Sequence, residues 1–136
     1  MSNCAPQKKL LLNAKIRYNK YTMTVPATLN LEETQGDDWS ITCNFIDASG
    51  YAIDLSASTF TAQIRKRGSR NSSLVTSFSI DTSDADVGVL VLSLTAEQTA
   101  LLTQKHYYYD LQQDDYYGYR LTVLAGKITL TREVTS

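Results

Sequence analysis

The sequence predicts an all-β fold: an antiparallel β-sandwich of about seven strands with one short helix and an extended N-terminal arm. Three observations carry this. Apolar and polar residues alternate with period two, most clearly where Trp39, Ile41, Cys43 and Phe45 fall on one face and Ser40, Thr42 and Asn44 on the other. Turn chemistry recurs every ~8–12 residues, the spacing of sandwich strands. No amphipathic stretch long enough for a crossover helix separates the strands, which excludes a parallel, doubly wound nucleotide-binding fold. At 136 residues the chain is one domain's worth, and no long internal repeat is visible.

Each element has its own reason. Pro26 closes the arm. Residues 27–34 alternate, with Leu29 and Leu31 on one face, and Gln35-Gly36-Asp37 turns the chain into the strand of Trp39. Asp47-Ala48-Ser49-Gly50 is a second turn, followed by a short extended piece to Leu55. Phe60, Ala62 and Ile64 alternate with Thr61, Gln63 and Arg65, and a polar turn over 68–72 leads to inward Leu74, Thr76, Phe78 and Ile80. After an acidic loop over 81–86, Leu90, Leu92 and Leu94 share one side of a strand. Thr95 with Gln98 three residues on has the form of a capping box, predicting a short helix over 96–102 with Leu101 and Leu102 plugging the sandwich. A strand over 105–113 points Tyr107, Tyr109 and Leu111 inward and Tyr108 outward. Asp114–Gly118 turns it into a last strand, 119–130, with a bulge expected at Gly126. The predicted core is Trp39, Ile41, Phe45, Phe60, Ile64, Phe78, Leu90, Leu92, Tyr109, Leu111 and Ile128.

Composition narrows the function classes. Hydrophobic residues make up 43% and charged residues 20%, which is ordinary for a globular domain. The apolar runs are too short to cross a bilayer, and Leu10–Leu12 is too short for a secretory signal core, so the chain is expected in a reducing cytoplasm with Cys4 and Cys43 as free thiols. A net charge of −1 argues against wholesale nucleic-acid binding. The charge is uneven: residues 1–31 carry Lys8, Lys9, Lys15, Arg17 and Lys20 and no acid, whereas the rest holds eight basic and fourteen acidic residues, a net −6. A basic arm ahead of an acidic body suits an acidic neighbour.

Catalytic and metal chemistry find little footing. The neighbouring carboxylates Asp37/Asp38 and Asp114/Asp115 sit in turn positions and, in extended backbone, point apart. His106 is the single histidine and has no cysteine near it in sequence. Asp81, Asp84, Asp86 and Gly88 have part of the spacing of a calcium loop, but Leu92 or Thr95 stands where the closing bidentate Glu belongs. No catalytic residue, metal or cofactor is expected. Tyrosine stands out, with nine residues, six of them in the runs Tyr107–Tyr109 and Tyr116, Tyr117, Tyr119. Exposed tyrosine clusters suit interfaces, and an aromatic platform also suits a sugar ring.

A succession of landmarks adds a family resemblance. Pro26-Ala27-Thr28-Leu29-Asn30-Leu31 leads into Gln35-Gly36-Asp37-Asp38-Trp39-Ser40. Asp47-Ala48-Ser49-Gly50-Tyr51-Ala52-Ile53-Asp54-Leu55-Ser56, Phe60–Arg65, Gly88–Thr95, Tyr109-Asp110-Leu111 and Gly126–Leu130 follow, with Glu133-Val134-Thr135 closing the series. Their order over residues 26–136 resembles a family of small bacteriophage virion proteins. It is also similar to the N-terminal domain of phage baseplate upper proteins, an immunoglobulin-like module that joins receptor-binding proteins to the tail. The resemblance implies an immunoglobulin-like body over 26–136 behind a basic arm over 1–25. It further implies a non-enzymatic structural protein, an adaptor of tail or baseplate, assembled in the host cytoplasm. The implied partners are other virion structural proteins, with a homo-oligomer in the particle and no small-molecule substrate or membrane. The rival readings are head decoration, fibre attachment, or a carbohydrate-binding sandwich. Candidate interface residues are Lys8, Lys9, Lys15, Arg17, Tyr18, Lys20, Tyr108, Tyr116 and Tyr117.

Overall fold

A computed structural model describes residues 14–18, 21–67, 73–115 and 117–131. Among these, eleven strands form two sheets. The first sheet is ordered β2 (Tyr21–Thr24), β1 (Lys15–Tyr18), β5 (Trp39–Ile46), β9 (Val89–Leu94) and β8 (Ser79–Asp81). The second is ordered β3 (Ala27–Thr28), β11 (Arg120–Thr131), β10 (His106–Asp114), β6 (Thr59–Arg65) and β7 (Leu74–Ser77), with β4 (Leu31–Thr34) also on β11.

The alternation that predicts the strands also builds the core. Ile41, Phe45, Ile64, Leu90, Leu92, Leu111 and Ile128 are fully buried between the sheets, and Trp39, Phe78 and Tyr109 nearly so. Phe60 is half-buried, its ring 6.2 Å from that of Phe45. Cys43 is a buried free thiol whose pKa burial pushes up to about 12. Trp39 secures its place by donating its indole N–H to the Thr34 carbonyl at 3.0 Å.

The largest correction concerns the arm. Residues 14–18 and 21–25 are part of the sandwich: β1 pairs antiparallel with β5 through Ile16↔Phe45, and β2 pairs back on β1 through Ile16↔Met23. Ile16 is 0% exposed, and Ala14 and Val25 are buried beside it. Ala14, Ile16 and Tyr18 alternate with polar residues in the sequence, and the strand they encode adds to the chain's own sheet beside β5. Residues 1–13, with Lys8, Lys9 and Cys4, lie outside the described residues.

Other departures have local causes. The expected first strand breaks at Leu29-Asn30, and its halves β3 and β4 pair parallel with β11, the two parallel pairings among the described residues of a sandwich expected to be antiparallel. A parallel pair needs a long connection, which the rest of the domain supplies. The strand expected over 74–80 changes sheets at Phe78: β7 pairs with β6 and β8 with β9. Phe78 points inward at the crossing, while Leu74 at the start of β7 is exposed.

The helix is a single turn, α1 (Ala96–Ala100), with both halves of the capping box formed: the Thr95 hydroxyl accepts from the Gln98 N–H and the Gln98 side chain accepts from the Thr95 N–H. Leu102 plugs the sandwich as expected, but Leu101 is 69% exposed. Thr99 is the second buried residue, its hydroxyl donating to Asp37 O at 2.8 Å and accepting from the Gly36 N–H at 3.0 Å.

In β11 the bulge falls at Val123, where the register with β10 shifts between Leu111↔Leu124 and Gln112↔Thr122. Gly126 serves a different need. A Cβ there would lie 2.0 Å from Leu29 O, so glycine lets the Leu29 backbone press against the sheet. Leu29 is held there by its own N–H to Ala125 O at 2.9 Å and by the Tyr109 hydroxyl donating to its carbonyl at 2.6 Å.

Candidate binding face on the second sheet

The predicted interface residues do not form one patch. Lys15 and Arg17 lie on β1 of the first sheet, Lys15 half-buried and Arg17 exposed. Tyr18 ends that strand. Lys20 and Tyr116 are outside the described residues. Tyr108 stands on β10 of the second sheet, while Tyr117 is exposed in the turn that follows β10. Six residue steps along the strand separate Tyr108 from Asp114 at the turn, roughly 20 Å at ~3.4 Å per step. The tyrosine runs therefore face different surroundings.

The three consecutive tyrosines of β10 divide by alternation. Tyr107 is buried and its hydroxyl accepts the Gln104 N–H at 2.9 Å. Tyr109 is buried, edge-on to Phe78 with ring centroids 6.1 Å apart, and bonded to Leu29. Tyr108 points outward, is 36% exposed, and its hydroxyl makes no hydrogen bond among the described residues. Two tyrosines thus serve the core, and the third serves the surface.

Register decides what surrounds Tyr108. On one side it pairs with Arg65 of β6 and on the other with Lys127 of β11, so two cations flank it in one row across the sheet. The next row is Gln63, Asp110 and Ala125, and the one after it Thr61, Gln112 and Thr122. The Arg65 guanidinium donates to Gln63 Oε1 at 2.7 Å, which steadies it over the sheet. The Lys127 ammonium has no carboxylate within ion-pair distance among the described residues. Its backbone N–H is held by Asn30 Oδ1 at 3.0 Å, which ties the Leu29-Asn30 break to the rim of this surface.

These residues enclose an open hollow of about 440 Å³. Part of its depth comes from Ala125, a small residue opposite Asp110, and the backbone of Gly126 also lines it. Arg65, Arg67, Lys127 and Asp110 are the charged residues of its lining, which makes it net positive on a net-negative body.

Several of the carboxylates singled out in the sequence have local tasks. Asp38 accepts the Ala96 N–H at 2.6 Å at the start of α1. Asp47 accepts the N–H groups of Ser49 and Tyr51, Asp81 that of Ser83, and Asp115 those of Tyr117 and Tyr119, all between 2.8 and 3.0 Å. The hydrogen bonds from Ser83 hold the Asp81 carboxyl below its ordinary pKa. Burial, and next the charge of Asp37, push Glu33 up. Asp114 forms a two-point ion pair with Arg120, at 2.8 and 3.2 Å, on an exposed edge where it contributes little stability. Gly88, the end of the supposed calcium spacing, is a left-handed cap on the 3₁₀ turn Ala85–Val87, packed against Phe45 O. His106 is exposed, its Nδ1 3.3 Å from the Thr129 hydroxyl. Among the described residues no group of three or more His, Cys, Asp or Glu is placed to hold a metal ion.

Sequence reasoning found that Arg65 and Tyr108 face outward but missed that Arg65, Lys127, Asp110 and Asn30 share a surface with Tyr108. Outwardness is local, written in the alternation. The juxtaposition depends on pairing β6 with β10, over forty residues apart, and has no local signal.

No protein-family model matches the chain, and no curated protein matches it in sequence. Solved structures do match. The filamin domain of Lin-41 aligns at TM-score 0.50 and 12% identity, covering 93% of this chain and all of that one. An immunoglobulin domain complex of titin M10 and obscurin-like 1 aligns at TM-score 0.44 and 10% identity, covering 90% and 99%. CopC from Methylosinus trichosporium OB3b aligns at 0.46 and 11%, covering 78% and 88%. None of these three is a phage tail or baseplate protein. At such identities likeness speaks of fold alone, and the fold is that of an immunoglobulin-like β-sandwich.

Proposed function

We propose that this chain is a non-enzymatic structural module of a bacteriophage virion, an adaptor at the tail or baseplate that docks neighbouring virion proteins. The observation that carries the reading is the fit between the ordered landmarks and the architecture. Gly36 and Trp39 sit at the turn into β5, Asp47 organises the next turn, and Asp54 accepts the Ser56 N–H at 2.9 Å. Gly88 caps the entry to β9, Thr95 caps α1, and Gly126 admits Leu29. These seven motif residues each have a fold-determining task, and their order through the sandwich supports a resemblance of build.

The chemistry of the module accords with docking rather than turnover. Asp38, Asp47, Asp54, Asp81 and Asp115 are engaged by backbone N–H groups, and the outer face of the second sheet presents side chains on rigid strands. The partners in this reading are other virion structural proteins and further copies of the chain. Quantitative mass spectrometry of purified particles tests it. The expected result is a fixed ratio to the major capsid protein through gradient purification. A protein made during infection that stays wholly in the soluble fraction would overturn it.

A further inference from the structure

We infer that the outer face of the second sheet holds a site for an acidic saccharide, centred on Tyr108 between Arg65 and Lys127. The inference does not rest on the virion reading, and either can fail while the other stands.

The location restricts the ligand first. β10 is bonded on both sides, to β6 and β11, so its main chain offers no edge for an added peptide strand. Whatever binds here is read by side chains alone. Tyr108 supplies a ring face on a rigid strand, with a hydroxyl that has no internal partner among the described residues. Its neighbours Tyr107 and Tyr109 have their hydroxyls bonded within the fold. The C–H face of a pyranose packs against such a ring and is positioned by polar groups at its rim. Asn30 keeps its amide N–H donors beyond the bond its oxygen makes, and Gln112 and Thr122 stand two rows away.

Charge restricts it further. The hollow is lined by three cations and one carboxylate, whereas residues 32–136 carry net −6. Lys127 and Arg65 can donate to the hydroxyls of any sugar, but their bonds to a carboxylate, phosphate or sulfate on the ring are charge-assisted and roughly twice as strong, which favours an acidic saccharide. A nucleic-acid track would require a longer basic stripe than one row on a chain of net charge −1. A volume of about 440 Å³ suits one or two sugar rings.

The test is an array carrying uronate, sialylated, phosphorylated and sulfated glycans, each beside its uncharged counterpart, with acidic peptides on the same surface. The full chain is expected to retain at least one acidic glycan class over its neutral counterpart, with retention falling as salt rises. Tyr108→Ala and Lys127→Gln should each weaken it by about tenfold or more. Lys127→Arg should keep most of it, and Tyr51→Ala, at an exposed tyrosine elsewhere, all of it. Melting temperatures of the variants establish that they fold; if Tyr108→Ala does not, Lys127→Gln and Lys127→Arg decide. The proposal is overturned if no acidic glycan is retained, if neutral glycans are held equally, if the acidic peptides are preferred, or if Lys127→Gln binds like the parent.

Discussion

Both sheets bury one face of the same period-two pattern, yet their outer faces differ. On the first sheet the central strands β5 and β9 turn out Ser40, Thr42, Asn44, Val89, Val91 and Ser93, short side chains without charge, and the charged residues Lys15, Arg17 and Asp81 lie on the strands flanking them. On the second, Arg65, Tyr108, Asp110 and Lys127 stand in adjacent rows. The fold asks little of an outward position beyond tolerance of water and of the strand conformation, and β5 and β9 at the centre of the first sheet meet that demand and no more. Long, charged or aromatic side chains side by side in mid-sheet exceed it. They add nothing to the core and lose rotamer freedom when fixed. That excess chemistry is what marks the second face as the working surface.

The contrast can be broken from the core side first. Removing residues 1–25 takes away two of the five strands of the first sheet, with Ile16 and Val25, and uncovers the edge of β5. The expected outcome is loss of cooperative melting. Ile16→Ala alone should cost about 2–5 kcal/mol in chemical denaturation, a large share of a small domain's stability. A truncated chain that melts like the parent would show that β1 and β2 are dispensable decorations.

Gly126→Ala sharpens the contrast at the floor of the hollow. The new Cβ meets Leu29 O, so Leu29 must retreat and the Tyr109 bond to it must stretch. A loss of about 1–3 kcal/mol is expected, accompanied by weaker binding at the face above. A variant with unchanged stability would contradict the close approach of the two backbones.

The smallest expected effects fall on the outer faces themselves. Thr42→Ala and Lys127→Gln should each change stability by no more than about 0.5 kcal/mol, because neither side chain packs in the core. A large loss for Lys127→Gln would mean that the lysine is structural, and the comparison between the faces would fail.

How far the sequence foretells this molecule depends on the range of each signal. The strand of Trp39 and the cap formed by Thr95 and Gln98 are legible because alternation and capping act within a few residues. The N-terminal strands are half legible: Ala14, Ile16 and Tyr18 alternate, but nothing local tells a strand whether its partner edge belongs to its own chain. Gly126 signals a special backbone position without saying which kind, and the bulge lies instead at Val123. The row of Arg65, Tyr108 and Lys127 is not legible, because it arises from register between strands distant in sequence.

The most direct measurement of the account is backbone amide mapping of the isotope-labelled chain titrated with trigalacturonic acid, which carries one carboxylate per ring. The account predicts that the largest shifts fall on Arg65, Tyr108, Asp110 and Lys127, with Thr42, Asn44 and Val91 unmoved. Largest shifts on the first sheet, or no shift anywhere up to millimolar saccharide, would contradict the assignment of function to the second face.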